Sequence, residues 1–396
     1  MADKIAINIW TDFPKLPLPE VLSFIVDNRG KTVPTTDTGH KLIATNCIRN
    51  ENLYPSYEKI RFLSDETYNN WFRAHPIPGD IIFVCKGTPG RVCMVPDPID
   101  FCIAQDMVAL RVNDNIIYNR YLLVVLRSAE IQKQIYNYSV GDVIPHFKKS
   151  FFDRLEIPIP PMEIQRVIGD FYFSFSLKIE LNSQINHNLE EQAKAIYANY
   201  FPYSIEDDLP EGWRKGNLGE IIELHDSKRI PLSGNERAKM EKLYPYYGAA
   251  SLMDYVNNYL FDGVFLLLGE DGTVVTDDGF PVLQYVWGKF WVNNHAHILT
   301  GKAGFSVESL LLLLKQTPVK TIVTGAVQPK ISQTNLKSIS IVIPPESLLQ
   351  DFNYSIAPLF TLIRQNSEEN KCLAQLRDAL LPKLMSGEID VSEVEV

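Results

Sequence analysis

The sequence predicts a mixed α/β (α+β) fold with a pseudo-two-fold internal repeat. We expect two mixed globular domains that are separated by two long antiparallel helices. Three observations support this expectation: a repeat at a single large offset, two long segments with helical apolar spacing, and two globular segments of similar texture.

The repeat aligns the stretch from Gly141 to Phe201 with the stretch from Gly325 to Met385, at a constant offset of 184 residues. The matching positions include Gly141 and Gly325, Val143 and Val327, Pro145 and Pro329, Ile179 and Ile363, Asn182 and Asn366, and Asn186 and Asn370. Solenoid units run about 20–50 residues, so this longer period indicates two copies of a whole domain with its helix.

The globular segments are residues 1–157 and 202–343. Both contain short apolar runs, such as Asp80–Cys85 and Gly263–Leu268, between turns rich in Gly and Pro. This texture is typical of mixed domains built from short strands and long loops.

The helical segments are residues 158–201 and 344–396. A single long helix is predicted to begin at Met162, directly after an Ile-Pro-Ile-Pro-Pro run, because proline is tolerated only ahead of or within a first turn. Apolar residues recur at 3–4 spacing in both copies, which favours an antiparallel coiled pair over two separate amphipathic helices. Pro358 has no proline counterpart, so we expect a kink or break near Ser355–Pro358.

Polar residues interrupt both apolar seams near their middles. Asn182 lies midway along the first helix and Asn366 lies midway along the second. In an antiparallel pair the two amides are expected to face each other, and a buried Asn pair of this kind fixes helix register.

The composition is that of a globular protein without a membrane anchor. The longest pure apolar block, Leu310–Leu314, is far shorter than the ~20 residues that span a bilayer. The five cysteines lack C-x-x-C spacing and indicate buried, reduced thiols in the cytoplasm. The net charge is −10, and most of the acidic excess lies on the predicted helices, so we expect weak binding to naked DNA without basic partners.

The motifs exclude most catalytic classes. The sequence has no G-x-x-x-x-G-K-[ST] loop, no G-x-G-x-x-G turn and no Asn/Asp-Pro-Pro-Tyr/Phe stretch of an adenine methyltransferase. His295 and His297 are expected to share a strand face, where a packed pair is favoured over a zinc site. Glu270 and Asp271 fit a surface turn better than a nuclease centre. No catalytic residue and no metal site is predicted.

The helical segments carry the resemblance to a known family. Residues 157–201 resemble the central repeat of specificity subunits of type I DNA restriction–modification enzymes, and Leu381–Gly387 (LPKLMSG) resembles their C-terminal repeat. Both globular segments resemble the target-recognition domains of that family, the second through Tyr246–Ala249 (YYGA) and Gly325–Lys330 (GAVQPK).

The resemblance implies a non-catalytic subunit that reads a bipartite site in double-stranded DNA, one half per target-recognition domain. It implies two modification subunits as partners, which bind S-adenosylmethionine and methylate adenine. In many such systems two restriction subunits add cleavage that depends on ATP and Mg2+. No cofactor is expected on this chain itself.

Candidate DNA contacts lie on two pairs of loops. Both early turns place cations after an apolar run: Arg29, Lys31 and Thr32 in the first domain, Lys228 and Arg229 in the second. A second pair of loops is expected to be equivalent and to read different bases, with Lys86, Thr88 and Arg91 in the first domain and Glu270 and Asp271 in the second. Solvated surface turns are the alternative for all four loops.

Two alternative functions stay open from the sequence. One is a single-chain DNA methyltransferase or nuclease with built-in specificity, which the missing catalytic motifs disfavour. The other is a stand-alone DNA-binding regulator or decoy, which the acidic net charge disfavours.

Overall fold

Each globular segment folds around its own sheets, and each is completed by parts of both long helices. The computed structural model describes residues 7–28, 30, 32–141, 143–325 and 327–390. It divides into a first unit, Met1–Gln184 with Ser367–Val396, and a second unit, Ile185–Asn366. The division falls inside the helices rather than at their ends.

The first unit contains short strands in three sheets. The strands are β1 (Lys15–Pro17), β2 (Leu22–Val26), β3 (His40–Ile43), β4 (Arg61–Leu63), β5 (Ile81–Val84), β6 (Val92–Met94), β7 (Phe101–Ile103), β8 (Met107–Val112) and β9 (Glu156–Pro158). The sheets have the orders β2–β8–β5–β6, β4–β3–β7 and β1–β9. The helices are α1 (Asp65–Asn70), α2 (Asn119–Arg127) and α3 (Ala129–Tyr138).

Strand β5 shows why the sequence folds this way. The strand is a continuous apolar run, and all four of its residues are buried. Ile81 and Phe83 face the core beneath α2 and α3, whereas Ile82 and Val84 face a second cluster on the other side of the sheet. The sheet is therefore covered on both faces.

The second unit is built around one larger sheet. The strands are β10 (Arg214–Asn217), β11 (Ile222–Leu224), β12 (Tyr244–Tyr247), β13 (Leu252–Val256), β14 (Phe261–Gly269), β15 (Leu283–Val292), β16 (Ala296–Gly301) and β17 (Ser340–Ile343). The main sheet has the order β11–β16–β14–β15–β12–β13, and β10 pairs with β17. The short helices are α5 (Gly234–Ala238), α6 (Val307–Leu314) and α7 (Gln333–Lys337).

The long helices are α4 (Met162–Tyr200) and α8 (Glu346–Ser386). The predicted segment 344–396 extends beyond the end of α8. Of the predicted kink or break near Ser355–Pro358, the break is wrong, because α8 continues through Pro358 without interruption, and the kink stays a prediction. Proline removes the hydrogen bond to the carbonyl of Tyr354. The Tyr354 side chain is 85% exposed, so this side of the helix faces water, which can satisfy that carbonyl.

The helix segments run antiparallel within each unit. In the first unit, Arg377 Nη1 donates to Ser176 Oγ at 3.1 Å, and Asn182 Nδ2 donates to Asn370 Oδ1 at 2.9 Å. In the second unit, Asn366 pairs with Asn186, whereas the Tyr200 ring packs 5.6 Å from Phe352. In these contacts, residues with higher numbers in α4 pair with residues of lower number in α8, so the two helices run in opposite directions.

The asparagine register differs from the predicted single pair. Asn182 Nδ2 donates to Asn370 Oδ1, and Asn366 Nδ2 donates to Asn186 Oδ1, each at 2.9 Å. The return contacts also match, because Asn370 Nδ2 donates to the Ile179 carbonyl and Asn186 Nδ2 to the Ile363 carbonyl, each at 3.3 Å. The repeat offset relates one set to the other. The register therefore depends on two amide pairs, and the prediction that Asn182 and Asn366 pair with one another is corrected.

Two smaller expectations have different outcomes. No helix in the described part of the chain combines the length and apolar character needed to cross a bilayer. Four cysteines are buried as expected, but Cys372 lies exposed on α8, which corrects the prediction that all five are buried.

Candidate nucleic-acid interface

The early turn of the first unit is anchored by a buried asparagine. Asn28, which is 4% exposed, donates through Nδ2 to the Ala74 carbonyl at 2.8 Å and accepts at Oδ1 from the Arg73 amide at 2.9 Å. The backbone that leaves β2 is thereby fixed just before the predicted contact residues. Arg29 and Lys31 themselves lie outside the described residues.

The structure brings this turn next to the Lys86 loop. Asp27, Gly30, Lys86 and His146 line one surface cleft, together with Gln105 and Asp106. Thr32 reaches the same place, since its Oγ1 accepts from Gln105 Nε2 at 3.2 Å. Two loops that are distant in sequence therefore form one surface, on which Lys86 is exposed.

The Lys86 loop is a tight connection between β5 and β6. Gly87 and Gly90 have φ angles of +85° and +88°, and Gly90 N donates to the Val84 carbonyl at 3.0 Å. Thr88 and Arg91 are half-buried, and the Thr88 hydroxyl has no hydrogen-bond partner among the described residues. Of the three predicted contacts here, Lys86 is the one most exposed to an approaching ligand.

The early turn of the second unit is anchored by a buried carboxylate. Asp226 accepts from His297 Nδ1 at 2.6 Å, from the Ile298 amide at 2.9 Å and from Gln333 Nε2 at 2.6 Å. Lys228 follows in the turn and is exposed. In both units a buried polar side chain two residues after an early strand fixes the backbone of the turn, and in the second unit this turn presents the exposed Lys228.

Arg229 and Glu270, two of the predicted DNA contacts, bind each other. Arg229 Nη1 lies 2.5 Å from Glu270 Oε2 and donates to the Ala296 carbonyl at 2.7 Å, and both side chains are largely buried. Asp271 lies nearby, with its carboxylate 3.8 Å from His295 Nδ1. These contacts favour a structural role for Arg229 and Glu270, and base reading by them stays a prediction.

Polar and charged side chains meet in this buried cluster. The two ring nitrogens of His297 contact Asp226 Oδ2 at 2.6 Å and the Ile331 carbonyl at 2.8 Å. Burial alone would raise the pKa of Asp226, but the hydrogen bonds from His297 and the Ile298 amide outweigh it and lower that pKa. The Arg229 guanidinium faces both carboxylates, Asp226 and Glu270, and the exposed Lys330 Nζ lies 3.5 Å from Glu270 Oε1.

The same cluster offers the one group of possible metal ligands in the part of the chain that the structure describes. Asp226, Glu270 and His297 have ligand atoms within 4.8 Å of one another. However, the Arg229 guanidinium already lies between the two carboxylates, at 2.5 Å and 3.5 Å from them, and supplies the positive charge that a metal would bring. His295 precedes β16 and is 44% exposed, so the predicted shared strand face with His297 is wrong.

The second pair of loops occupies equivalent positions in the two units. Gly87 N donates to the Pro145 carbonyl and Gly272 N donates to the Pro329 carbonyl, each at 2.9 Å. One residue earlier, Lys86 bridges to His146, and Asp271 bridges to Lys330. The backbone pairing is the same, but a cation in one unit stands where the other has a carboxylate.

One known protein family matches both globular segments of the chain. The family model of the type I restriction modification DNA specificity domain matches residues 36–191 and 210–376, one copy on each globular segment. The chain belongs to this family. The resemblance read from the sequence is thereby confirmed.

Several specificity subunits are similar along most of their length. The type I restriction enzyme MjaIX specificity subunit of Methanocaldococcus jannaschii is 26% identical over 349 residues, which cover 80% of this chain and 79% of that one. The HindI specificity subunit of Haemophilus influenzae is 20% identical, covering 78% of this chain and 86% of that one. The crystal structure of the type I restriction–modification S subunit from M. genitalium shares the fold, with a TM-score of 0.57 and 16% identity over 97% of each chain.

Sequence reasoning missed the buried anchors and half of the register residues. Asn28 and Asp226 carried a signal, since each is a polar residue placed directly after an apolar run. Asn186 and Asn370 also carried one, because each follows the predicted register asparagine by four residues and so lies on the same helix face.

Proposed function

We propose that this specificity-domain protein is the DNA-reading subunit of a type I restriction–modification complex, with each unit reading one half of an interrupted duplex site. The supporting observation is the pair of equivalent loops with opposite charge, Lys86 in the first unit and Asp271 in the second. A shared backbone frame with different side chains is what a reader of two different half-sites needs.

Base-edge chemistry gives these loops different preferences. In the major groove guanine presents the O6 and N7 acceptors, which suit a lysine, whereas the N4 amino group of cytosine is a donor that suits a carboxylate. Lys228 provides an exposed cation for phosphates, which position a protein on DNA without reading sequence. The target sequence itself depends on more side chains than these.

The proposed partners follow from the acidic net charge of this chain and from its lack of catalytic motifs. With a net charge of −10, this chain alone is expected to bind duplex DNA weakly, because affinity depends on phosphate neutralisation. Two modification subunits would add basic surface, S-adenosylmethionine and adenine methylation, and two restriction subunits would add ATP- and Mg2+-dependent cleavage. This chain would bind no cofactor and catalyse no step; its role is to select the DNA and hold the partners.

The test is methyl transfer to DNA from radiolabelled S-adenosylmethionine by the purified chain, by the modification subunit encoded beside it, and by the two together. We expect labelled DNA only with both proteins. Labelling by this chain alone would instead identify a single-chain methyltransferase. Tight, sequence-specific DNA binding by the chain alone, with no labelling by the pair, would identify a stand-alone regulator or decoy.

A further inference from the structure

Two valines at repeat-related positions lie almost fully in solvent. Val143 is 93% exposed in the first unit and Val327 is 99% exposed in the second. Each lies on a short turn that the flanking residues close, through the bridges Val140 to His146 and Thr324 to Lys330. A single exposed apolar residue is ordinary on a protein surface, but the same residue at the same place in both copies requires a reason.

The other residues shared by the two turns have structural reasons. Gly141 and Gly325 have φ angles of +99° and +85°, and a Cβ there would lie 2.8 Å from the Ile144 carbonyl oxygen or 2.3 Å from the Gln328 carbonyl oxygen. The proline that follows two residues after each valine offers the carbonyl to which the neighbouring loop glycine donates.

The remaining positions of the turn vary between the copies. Ile144 is replaced by Gln328, and His146 by Lys330. A valine retained among varying neighbours, with nearly its whole side chain in solvent, contributes little to folding. Its retention therefore indicates contact with something outside the chain.

The position of the turns identifies that partner. Each turn is hydrogen-bonded to a proposed base-reading loop, through Gly87 N in the first unit and Gly272 N in the second, so valine and loop form one surface. Each unit also has an exposed cation here, Lys86 in the first and Lys330 in the second, where Lys330 Nζ lies 3.5 Å from Glu270 Oε1. An apolar tip beside cations fits a DNA groove, where apolar side chains contact base edges or wedge at base steps.

We propose that Val143 and Val327 are DNA-contact residues, each making the same apolar contact inside a groove of its half-site. The two halves differ in sequence, so a residue common to both units contacts what both halves share, the sugar and base edges, while the varying neighbours discriminate. This inference rests on the proposed function and adds to it a contact that does not depend on charge.

The experiment uses the complex assembled with its modification subunits and a duplex that carries the motif found by methylation sequencing. Val143→Ser, Val327→Ser and the double variant are compared with wild type at several salt concentrations. Tyr136→Ser is the matched control, because Tyr136 is an 81% exposed apolar residue on α3. Val143→Leu, which keeps an apolar tip, is the conservative variant.

We expect each serine variant to weaken duplex binding about fivefold to thirtyfold, as for the loss of most of one buried valine contact. The double variant should show the product of both effects. The slope of log K against log salt should stay unchanged, because no phosphate contact is lost. Val143→Leu and Tyr136→Ser should bind as wild type does, and assembly without DNA should be the same for all variants.

Wild-type duplex affinity in the double serine variant would overturn the proposal while leaving the proposed function intact. So would weaker assembly with unchanged DNA binding by the assembled complex, which would assign the valines to a protein partner. A wild-type complex that binds its motif no better than random duplex would overturn the proposed function, and this inference with it.

Discussion

Removing the Asp226 carboxylate is expected to destabilise the second unit strongly. The side chain is 4% exposed and receives hydrogen bonds from His297, the Ile298 amide and Gln333, with Arg229 at 3.5 Å. Asp226→Ala leaves the Ile298 amide and Gln333 Nε2 without their acceptor, and it leaves the Arg229 guanidinium with Glu270 as its one carboxylate partner in the cluster. Breaking a buried ion pair costs about 3–5 kcal/mol. For a unit of this size we expect Tm to fall by about 6–20 °C.

The assay is thermal unfolding of the full chain, with hydrogen exchange to localise the change to the turn that carries Lys228. Asp254→Ala is the matched control, because Asp254 also binds two cations, Arg237 and Lys242, but at the surface. The control should melt close to wild type. If Asp226→Ala melts with the control, the buried cluster does not stabilise the unit and the reasoning is wrong.

The difference in stability between wild type and Asp226→Ala should depend on pH with a defined sign. The pKa of Asp226 is lowered in the folded state, so its contribution is complete above the ordinary carboxyl pKa of about 3.9 and is lost as pH falls through the lower folded value. The stability difference between wild type and Asp226→Ala should therefore be constant near neutrality and narrow below pH ~4. A difference that stays constant or widens below pH ~4 would contradict this assignment.

Three further substitutions test other parts of the structure. Lys228→Ala in the assembled complex should weaken duplex binding and reduce the salt slope by about 1, as for one lost phosphate contact. Asn186→Ala removes the acceptor of the buried Asn366 amide and should cost about 1–3 kcal/mol in urea unfolding. Gly141→Ala should destabilise the chain more than Gly87→Ala, because a Cβ at Gly141 meets a carbonyl oxygen at 2.8 Å, whereas a Cβ at Gly87 meets nothing within 4 Å.

These three predictions have their own controls. Lys371→Ala, on the surface of α8, should leave the salt slope unchanged; an equal change there would show that the slope reports net charge only. The double variant of Asn186 and Asn366 should cost less than the sum of the single variants, and strict additivity would mean that the amides are not coupled. Equal unfolding curves for the two glycine variants would contradict the assigned close contact.

The overall architecture was predictable because it depends on patterns that the sequence displays directly. The repeat offset and the apolar spacing of residues 162–200 and 346–386 sufficed for the two long helices. They also sufficed for the division into two units, and the family motifs sufficed for the family. The antiparallel pairing and the presence of an asparagine register were predictable for the same reason.

The details that failed depend on contacts between residues distant in sequence. The helix passes through Pro358 because tertiary packing outweighs one lost hydrogen bond. The asparagines pair with a stagger of four residues, which the seam pattern does not specify. The sequence does not reveal the ion pair between Arg229 and Glu270, because the two residues are 41 positions apart and only the folded sheet brings their side chains together.

The central claim is that two units of one frame read two halves of one site independently. It is tested most directly by sequencing the DNA methylation of cells that carry the neighbouring modification subunit with the wild-type chain, with Lys86→Ala, or with Asp271→Ala. The account predicts an interrupted motif for wild type, relaxation in one half only for Lys86→Ala, and relaxation in the other half only for Asp271→Ala. A continuous motif, or a change in the same half from both substitutions, would contradict it.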